Sequence, residues 1–430
     1  MEQFLQNMIT PVQSSNSGTK GGGLFRTADG KNLFITFALV TSLFLLWGFC
    51  NGMIDILNKH FQNTLHINKF QSGFVQFANY IAYFLMAIPA GLMARKFGYK
   101  SGIIIGLVLI AAGAFWFIPA TSIGTYWAFL LGLFIIAAGM TCLETIANPY
   151  TTVLGAPESG ATRINIAQTF NGVGWILGPI VGRHFVFGGA KGEASNAGLY
   201  LPYLGIGIVV AVLIVVFIMA KVPDLHAEEE VKSEAEGTGK KPLWQRWHFT
   251  FGVLTQFLYV AAQTGIFSFF INYVVENDKT VTENTAAYWL GAIGFVLFMG
   301  GRLCGSFVIS QFKPQRVLAT YAALCVVLTA VAMGGGKLGL YALFGTFFFM
   351  SIMFPTIFAL GIRGLGEHTK FASSLIVMSI VGGAIAPPLM GYIADVSSMR
   401  VGFALPLICF VFIAIYGAFW QKLEAKDRAA

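Results

Sequence analysis

"KVPDLHAEEEVKSEAEGTGKKPLWQRW" occupies residues 221–247 and is the only long charged stretch in the chain. The sequence on either side of it is of a different kind. The 430 residues are 56% hydrophobic and only 11% charged, with 41 Phe. A soluble domain carries about 25% charged residues, so an ordinary soluble protein is excluded. A membrane-crossing helix needs about 20 apolar residues, and many windows qualify. Outer-membrane strands alternate polar and apolar and give no such runs. The chain is therefore all-α and polytopic in a membrane, and the charged stretch is a linker that cuts it in two.

Twelve spans are expected, near 32–58, 70–93, 101–119, 125–152, 162–186, 199–220, 248–275, 285–311, 315–333, 338–362, 371–395 and 401–421. Six fall on each side of the linker. The resulting organisation is a flexible cytoplasmic tail over 1–31, an N-terminal six-helix bundle over 32–220 and the central cytoplasmic linker over 221–247. A C-terminal six-helix bundle over 248–421 and a short cytoplasmic tail over 422–430 follow. With the N-terminus placed inside, nineteen Lys and Arg lie on the cytoplasmic side and seven in outer loops, and Arg302 stays within a span. Basic residues accumulate on the inner side, so both termini are expected in the cytoplasm. This bias also accounts for the net charge of +8 without any nucleic acid. The spans "GWILGPIVG" (174–182) and "GAIAPPLMG" (383–391) share Gly, then Pro five residues on, then Gly three further. Small residues at this spacing let helices approach closely. Two duplicated six-helix halves joined by a central loop is the plan of a major facilitator transporter.

Two of the nineteen acidic residues sit deep in spans: Asp55 in the first and Glu144 in the fourth. A carboxylate at a helix centre costs about 2.5–3.5 kcal/mol on insertion scales, so these two are expected to face a polar interior. Stripes of polar residues accompany them. Trp47, Asn51, Asp55 and Asn58 share one face of the first span, and Gln76, Tyr80 and Tyr83 share one face of the second, with Asn79 beside it. Thr141, Glu144 and Asn148 do so in the fourth, and Asn165, Gln168 and Asn171 in the fifth. In the seventh, Gln256 and Gln263 lie two turns apart, and Thr264, Ser268 and Asn272 form a second line. One stripe could be interhelical glue, but several together describe a polar cavity. The candidate substrate contacts are Asn51, Gln76, Tyr80, Tyr83, Glu144, Asn148, Gln168, Asn171, Gln263 and Asn272.

Amides, hydroxyls, aromatic rings and two acids, with hardly any base, suit a neutral polyhydroxyl ligand better than an anion. An anion would call for Arg or Lys. Amides and carboxylates bond to vicinal hydroxyls, and Trp or Tyr packs on the apolar face of a sugar ring. An organic cation is the competing ligand. The acids also offer a coupling device, because a carboxylate in a low-dielectric cavity can take up a proton on one side and release it on the other. Sodium in place of the proton, or uncoupled transport, stays open at this level. No cofactor or metal is expected. His60 and His66 in "KHFQNTLH" read as solvated loop residues without a third ligand, and "GTGKK" lacks Walker spacing. The five cysteines fall in apolar segments and read as packing residues.

The segments "CNGMIDIL" (50–57), "FQSGFVQFANYIAYF" (70–84), "CLETIANPY" (142–150), "TRINIAQTFN" (162–171) and "FLYVAAQTGIFSFFINYVVEN" (257–277) carry a family likeness. The chain resembles the fucose permease family, the fucose–galactose–glucose proton symporter branch of the major facilitator superfamily, from about residue 32 to the last span. The resemblance implies a sugar:proton symporter; a lipid bilayer around it and a single chain as the working unit are expected. It gives proton coupling mainly to Asp55, and sugar binding with a share in coupling to Glu144. It also implies sugar contacts from Gln168 and Asn171. Two positions depart from the fucose permease pattern: Gly52 follows Asn51, and Asn79 stands where Phe is common. Glucose, galactose or an N-acetylated hexosamine is therefore expected ahead of fucose. In "GLMARKFGYKSG" (91–102) Arg95 holds the usual acidic slot, so a latch built on that acid is not expected. No Asn-x-Ser/Thr acceptor occurs, which favours a bacterial inner membrane.

Overall fold

The first apolar run becomes a 31-residue helix, α1 (Phe34–Thr64). At a rise of about 1.5 Å per residue it is long enough to cross a bilayer with turns to spare. The computed structural model describes residues 24–26, 31–155, 160–186, 199–220, 243–363, 365 and 369–429. Most of the expected N-terminal tail and residues 221–242 of the linker lie outside the described residues, as do the side chains of Arg95, Pro149 and Asn165.

The described chain is almost entirely helical. A four-residue helix, α2 (Lys69–Ser72), follows α1 and opens with a reciprocal capping box between Asn68 and Gln71, which satisfies two otherwise orphaned N–H groups. The second and third spans run end to end as α3 (Phe74–Ile123), broken where Gly98 takes φ 80°. That left-handed conformation is open to glycine at no steric cost. Next come α4 (Tyr126–Val153), α5 (Gly160–Val186) and α6 (Tyr200–Met219). Beyond the linker are α7 (Trp247–Asn277) and α8 (Glu283–Trp289), which continues through a π-helical turn (Leu290–Phe295) into α9 (Val296–Gln311). Then follow α10 (Pro314–Gly334), α11 (Gly336–Met350), α12 (Met353–Ile362) and α13 (Thr369–Met378). The chain ends with α14 (Gly382–Val396), α15 (Met399–Gly402) and α16 (Ala404–Ala429).

Among the described residues, eleven helical segments are long and apolar enough to cross a membrane. The remaining expected span, 162–186, is the 27-residue α5, whose amides and two arginines dilute its apolar character. Large apolar side chains such as Ile35, Trp127, Val212, Leu338 and Val396 stand exposed around the bundle, as a lipid-facing surface requires.

Within the first half, α1 packs tightly against α5. A Cβ on Gly48 would lie 2.0 Å from the Asn171 carbonyl oxygen, and one on Gly174 would lie 2.3 Å from that of Leu45. The glycines of the "GAIAPPLMG" segment reach across to the first half instead. A Cβ on Gly391 would lie 2.3 Å from the Lys69 carbonyl oxygen, and Gly383 faces the Tyr80 ring. The repeated sequence pattern thus makes close contacts in both halves, with different partners.

Two polar clamps secure the ends of the helices near the termini and linker. Buried Arg163, at the start of α5, donates to the carbonyls of Thr151 (2.9 Å) and Leu24 (2.9 Å). Asp427 accepts from the backbone N–H groups of Trp247 (3.0 Å) and His248 (2.9 Å), and its Oδ2 lies 2.7 Å from His248 Nδ1. The last helix therefore runs on through residues 422–429 and braces the start of α7. His60 corrects the sequence reading. It is fully buried within α1, because the helix continues six residues past the expected end at 58. His66 is exposed just beyond the helix, with φ 51°.

Candidate functional site

Asp55 lies on α1 with 3% of its surface exposed. Its Oδ1 accepts a 2.8 Å hydrogen bond from Nε2 of Gln76 on α3. Its Oδ2 is buried without a protein partner. Gln76 is equally buried, so its donor is committed to the acid.

Glu144 lies on α4, half-buried, and borders a small cavity with Leu43, Phe44, Trp47, Leu143 and Ala147. The Tyr83 hydroxyl accepts a 2.7 Å hydrogen bond from the Trp47 indole N–H. It also lies close to Glu144 and Asn51. Tyr80 stands one turn away, its ring centroid 6.1 Å from that of Tyr83, and within electrostatic reach of both acids. Three helices thus place two carboxylates around a tyrosine pair, as the polar stripes require.

The other expected contacts divide into two groups. Near the acids, the Asn51 amide donates to the Trp47 carbonyl (3.1 Å). Gln168 donates to Asn148 Oδ1 (3.1 Å), and Asn171 donates to the Phe44 carbonyl (3.2 Å). Gln263 is half-buried on α7. Asn272 lies elsewhere, at the end of the bundle where α1 finishes, and donates to Gln62 Oε1 (2.6 Å). Gln256 is fully buried with neither amide atom partnered, and Asn79 keeps a buried, unpartnered Oδ1.

Sequence reasoning missed Gln62 and Ser72. The signal was present: Gln62 extends the Asn51–Asp55–Asn58 spacing by one more turn, but the first span had been ended at residue 58. Contacts between the halves cluster at this same end. Asn58 donates to the Ser268 carbonyl (3.1 Å), Lys59 pairs with Glu283 (3.3 Å) and Lys69 with Glu276 (2.8 Å). Asp395 accepts from the backbone N–H groups of Lys69 (3.1 Å) and Phe70 (2.8 Å).

A lipid-facing helical bundle that carries two carboxylates, amides and aromatic hydroxyls along an internal seam has the build of a membrane transporter, not of an enzyme. The sequence model of the Major Facilitator Superfamily matches residues 33–380, and the chain belongs to that superfamily. It is 39% identical to the L-fucose-proton symporter of Escherichia coli (strain K12), across 96% of this chain and 98% of that protein. It is 34% identical to a glucose/galactose transporter of Brucella abortus, across 92% of this chain and 96% of that protein. The crystal structure of the transporter FucP in its outward conformation superposes with a TM-score of 0.65 at 39% identity, covering 90% of this chain and 99% of that one.

Proposed function

We propose that this protein is a secondary active transporter that carries a neutral hexose into the cell together with a proton. The observation behind this reading is the pair of membrane-buried acids, Asp55 and Glu144, gathered around Tyr80 and Tyr83. Similarity over nearly the full chain to an L-fucose-proton symporter and to a glucose/galactose transporter supports it.

In this reading Asp55 carries the proton. Gln76 occupies Oδ1 and leaves Oδ2 open, so Oδ2 is the atom that takes it. A neutral acid crosses the low-dielectric interior at far lower cost than a carboxylate, which links reorientation to protonation. Glu144 accepts from sugar hydroxyls, while Trp47 and Tyr83 present an aromatic face and a phenol beside it. Asn51, Asn148, Gln168, Asn171 and Gln263 add amide contacts, and Tyr80 touches both acids' surroundings. Glucose, galactose or an N-acetylated hexosamine is the expected cargo, since the chain departs from the fucose permease pattern at Gly52, which packs on the α5 backbone, and at buried Asn79. Two six-helix bundles, 32–220 and 248–421, move about the linker 221–247. Both termini face the cytoplasm, the membrane is a bacterial inner membrane, and a single chain is the working unit.

Sugar-induced proton uptake in vesicles tests this. Asp55→Asn should abolish concentrative uptake while preserving sugar exchange, and Glu144→Gln should weaken sugar binding itself. Accumulation against a gradient by Asp55→Asn would remove Asp55 from the coupling role. A panel of labelled hexoses identifies the cargo.

A further inference from the structure

Gln62 makes three amide contacts on three helices. Its Nε2 donates to Asn58 Oδ1 (3.1 Å) and to Ser72 Oγ (2.8 Å), and its Oε1 accepts from Asn272 Nδ2 (2.6 Å). Asn58 in turn donates to the Ser268 carbonyl (3.1 Å). These bonds stitch α1 of the first half to α7 of the second within a little more than one turn. Asn58 and Asn272 are buried and Gln62 is half-buried, so the stitch lies largely out of solvent. Around it runs a charged rim of Lys59–Glu283, Lys69–Glu276 and Asp395 on the Lys69 and Phe70 amides. Neutral amides can part and reform without leaving a buried charge behind, because water replaces each partner as the seam opens. Asp55 lies one turn inward of Asn58 and two turns inward of Gln62 on the same helical face. One rigid helix therefore carries both the acid and the stitch.

We propose that the Asn58–Gln62–Asn272 amide chain is the outer gate of the transport path, and that Asn272 serves this gate rather than the sugar. The assignment rests on the reading of the chain as a sugar transporter with its termini inside. Gln62 and Asn272 are then positioning residues. They set how often the site opens outward and leave the affinity of the open site unchanged.

A thiol reporter tests the gate without relying on transport. Ser268→Cys puts a thiol at the buried seam, in a Cys304→Ser background, because Cys304 is the one exposed native cysteine and the other four are buried. In right-side-out vesicles, adding Gln62→Ala or Asn272→Ala should speed labelling by a membrane-impermeant maleimide about tenfold, as expected for loss of an amide pair. Sugar binding should be retained, its apparent affinity moving by no more than the change in the open population. Unchanged labelling in both variants overturns the gate. Loss of sugar binding in Asn272→Ala without faster labelling returns Asn272 to the sugar site. Faster labelling only in inverted vesicles overturns the outer assignment.

A second arm bridges Asn63→Cys to Glu283→Cys with a short bis-maleimide. These side chains already touch across the rim. Transport should stop in the bridged protein, and transport at the unbridged rate would overturn the proposal. If the parent protein carries none of the hexoses tested, the sugar reading fails, while the labelling experiment still decides the gate.

Discussion

Tyr83 is the joint between the aromatic and acidic parts of the site. Its hydroxyl holds the Trp47 indole at 2.7 Å and lies close to Glu144 and Asn51. Tyr83→Phe leaves a part-buried indole N–H without its acceptor, which costs about 1–3 kcal/mol. Sugar affinity should then fall by about tenfold, measured by equilibrium binding, with the proton-to-sugar ratio unchanged because Asp55 and Gln76 are untouched. A change in that ratio would place Tyr83 on the proton's route. The acids themselves were legible in the sequence, since a carboxylate amid apolar residues stands out by its insertion cost. The partner of each acid was not. Gln76 read as a sugar contact because spacing locates a side chain on a helical face but cannot show that its donor is already committed. Asn272 read as a contact for the same reason, yet it belongs to the far end of the seam.

At the scale of elements, long apolar runs reported their helices well, and most expected spans match observed helices to within a few residues. The errors fall where polar residues continue a helix. Lys59, His60, Gln62 and Asn63 look like a loop in isolation. They remain helical because Lys59 and Asn63 meet Glu283, and Gln62 meets Asn272, across the seam. Local pattern carries no information about a partner more than two hundred residues away. The small-residue repeat was legible as a packing device and can be tested as one. Gly48→Ala forces a methyl group to within 2.0 Å of the Asn171 carbonyl oxygen and should destabilise the α1–α5 pair by about 1–3 kcal/mol. Gly205→Ala on α6 meets nothing within 4 Å. Thermal unfolding in detergent should therefore show a lowered Tm for Gly48→Ala and none for Gly205→Ala.

Across the whole molecule, the two halves meet at more than one depth. The stitched rim closes one end. Near mid-depth, Gly383 of α14 lies against the Tyr80 ring, where an added Cβ would come within 2.7 Å of the ring carbons. Tyr80 is also the residue within electrostatic reach of both Asp55 and Glu144. This contact has the character of a bearing: a flat ring rides on a bare backbone with no side chain to catch it. Half the hydrocarbon thickness is about 15 Å, so a tilt of about 20–30° about such a fulcrum moves the rim by about 5–8 Å. The ring that turns on the pivot is thus the one that feels both charges. Gly383→Val should jam the bearing, leaving a protein that still binds sugar at equilibrium but neither exchanges nor accumulates it.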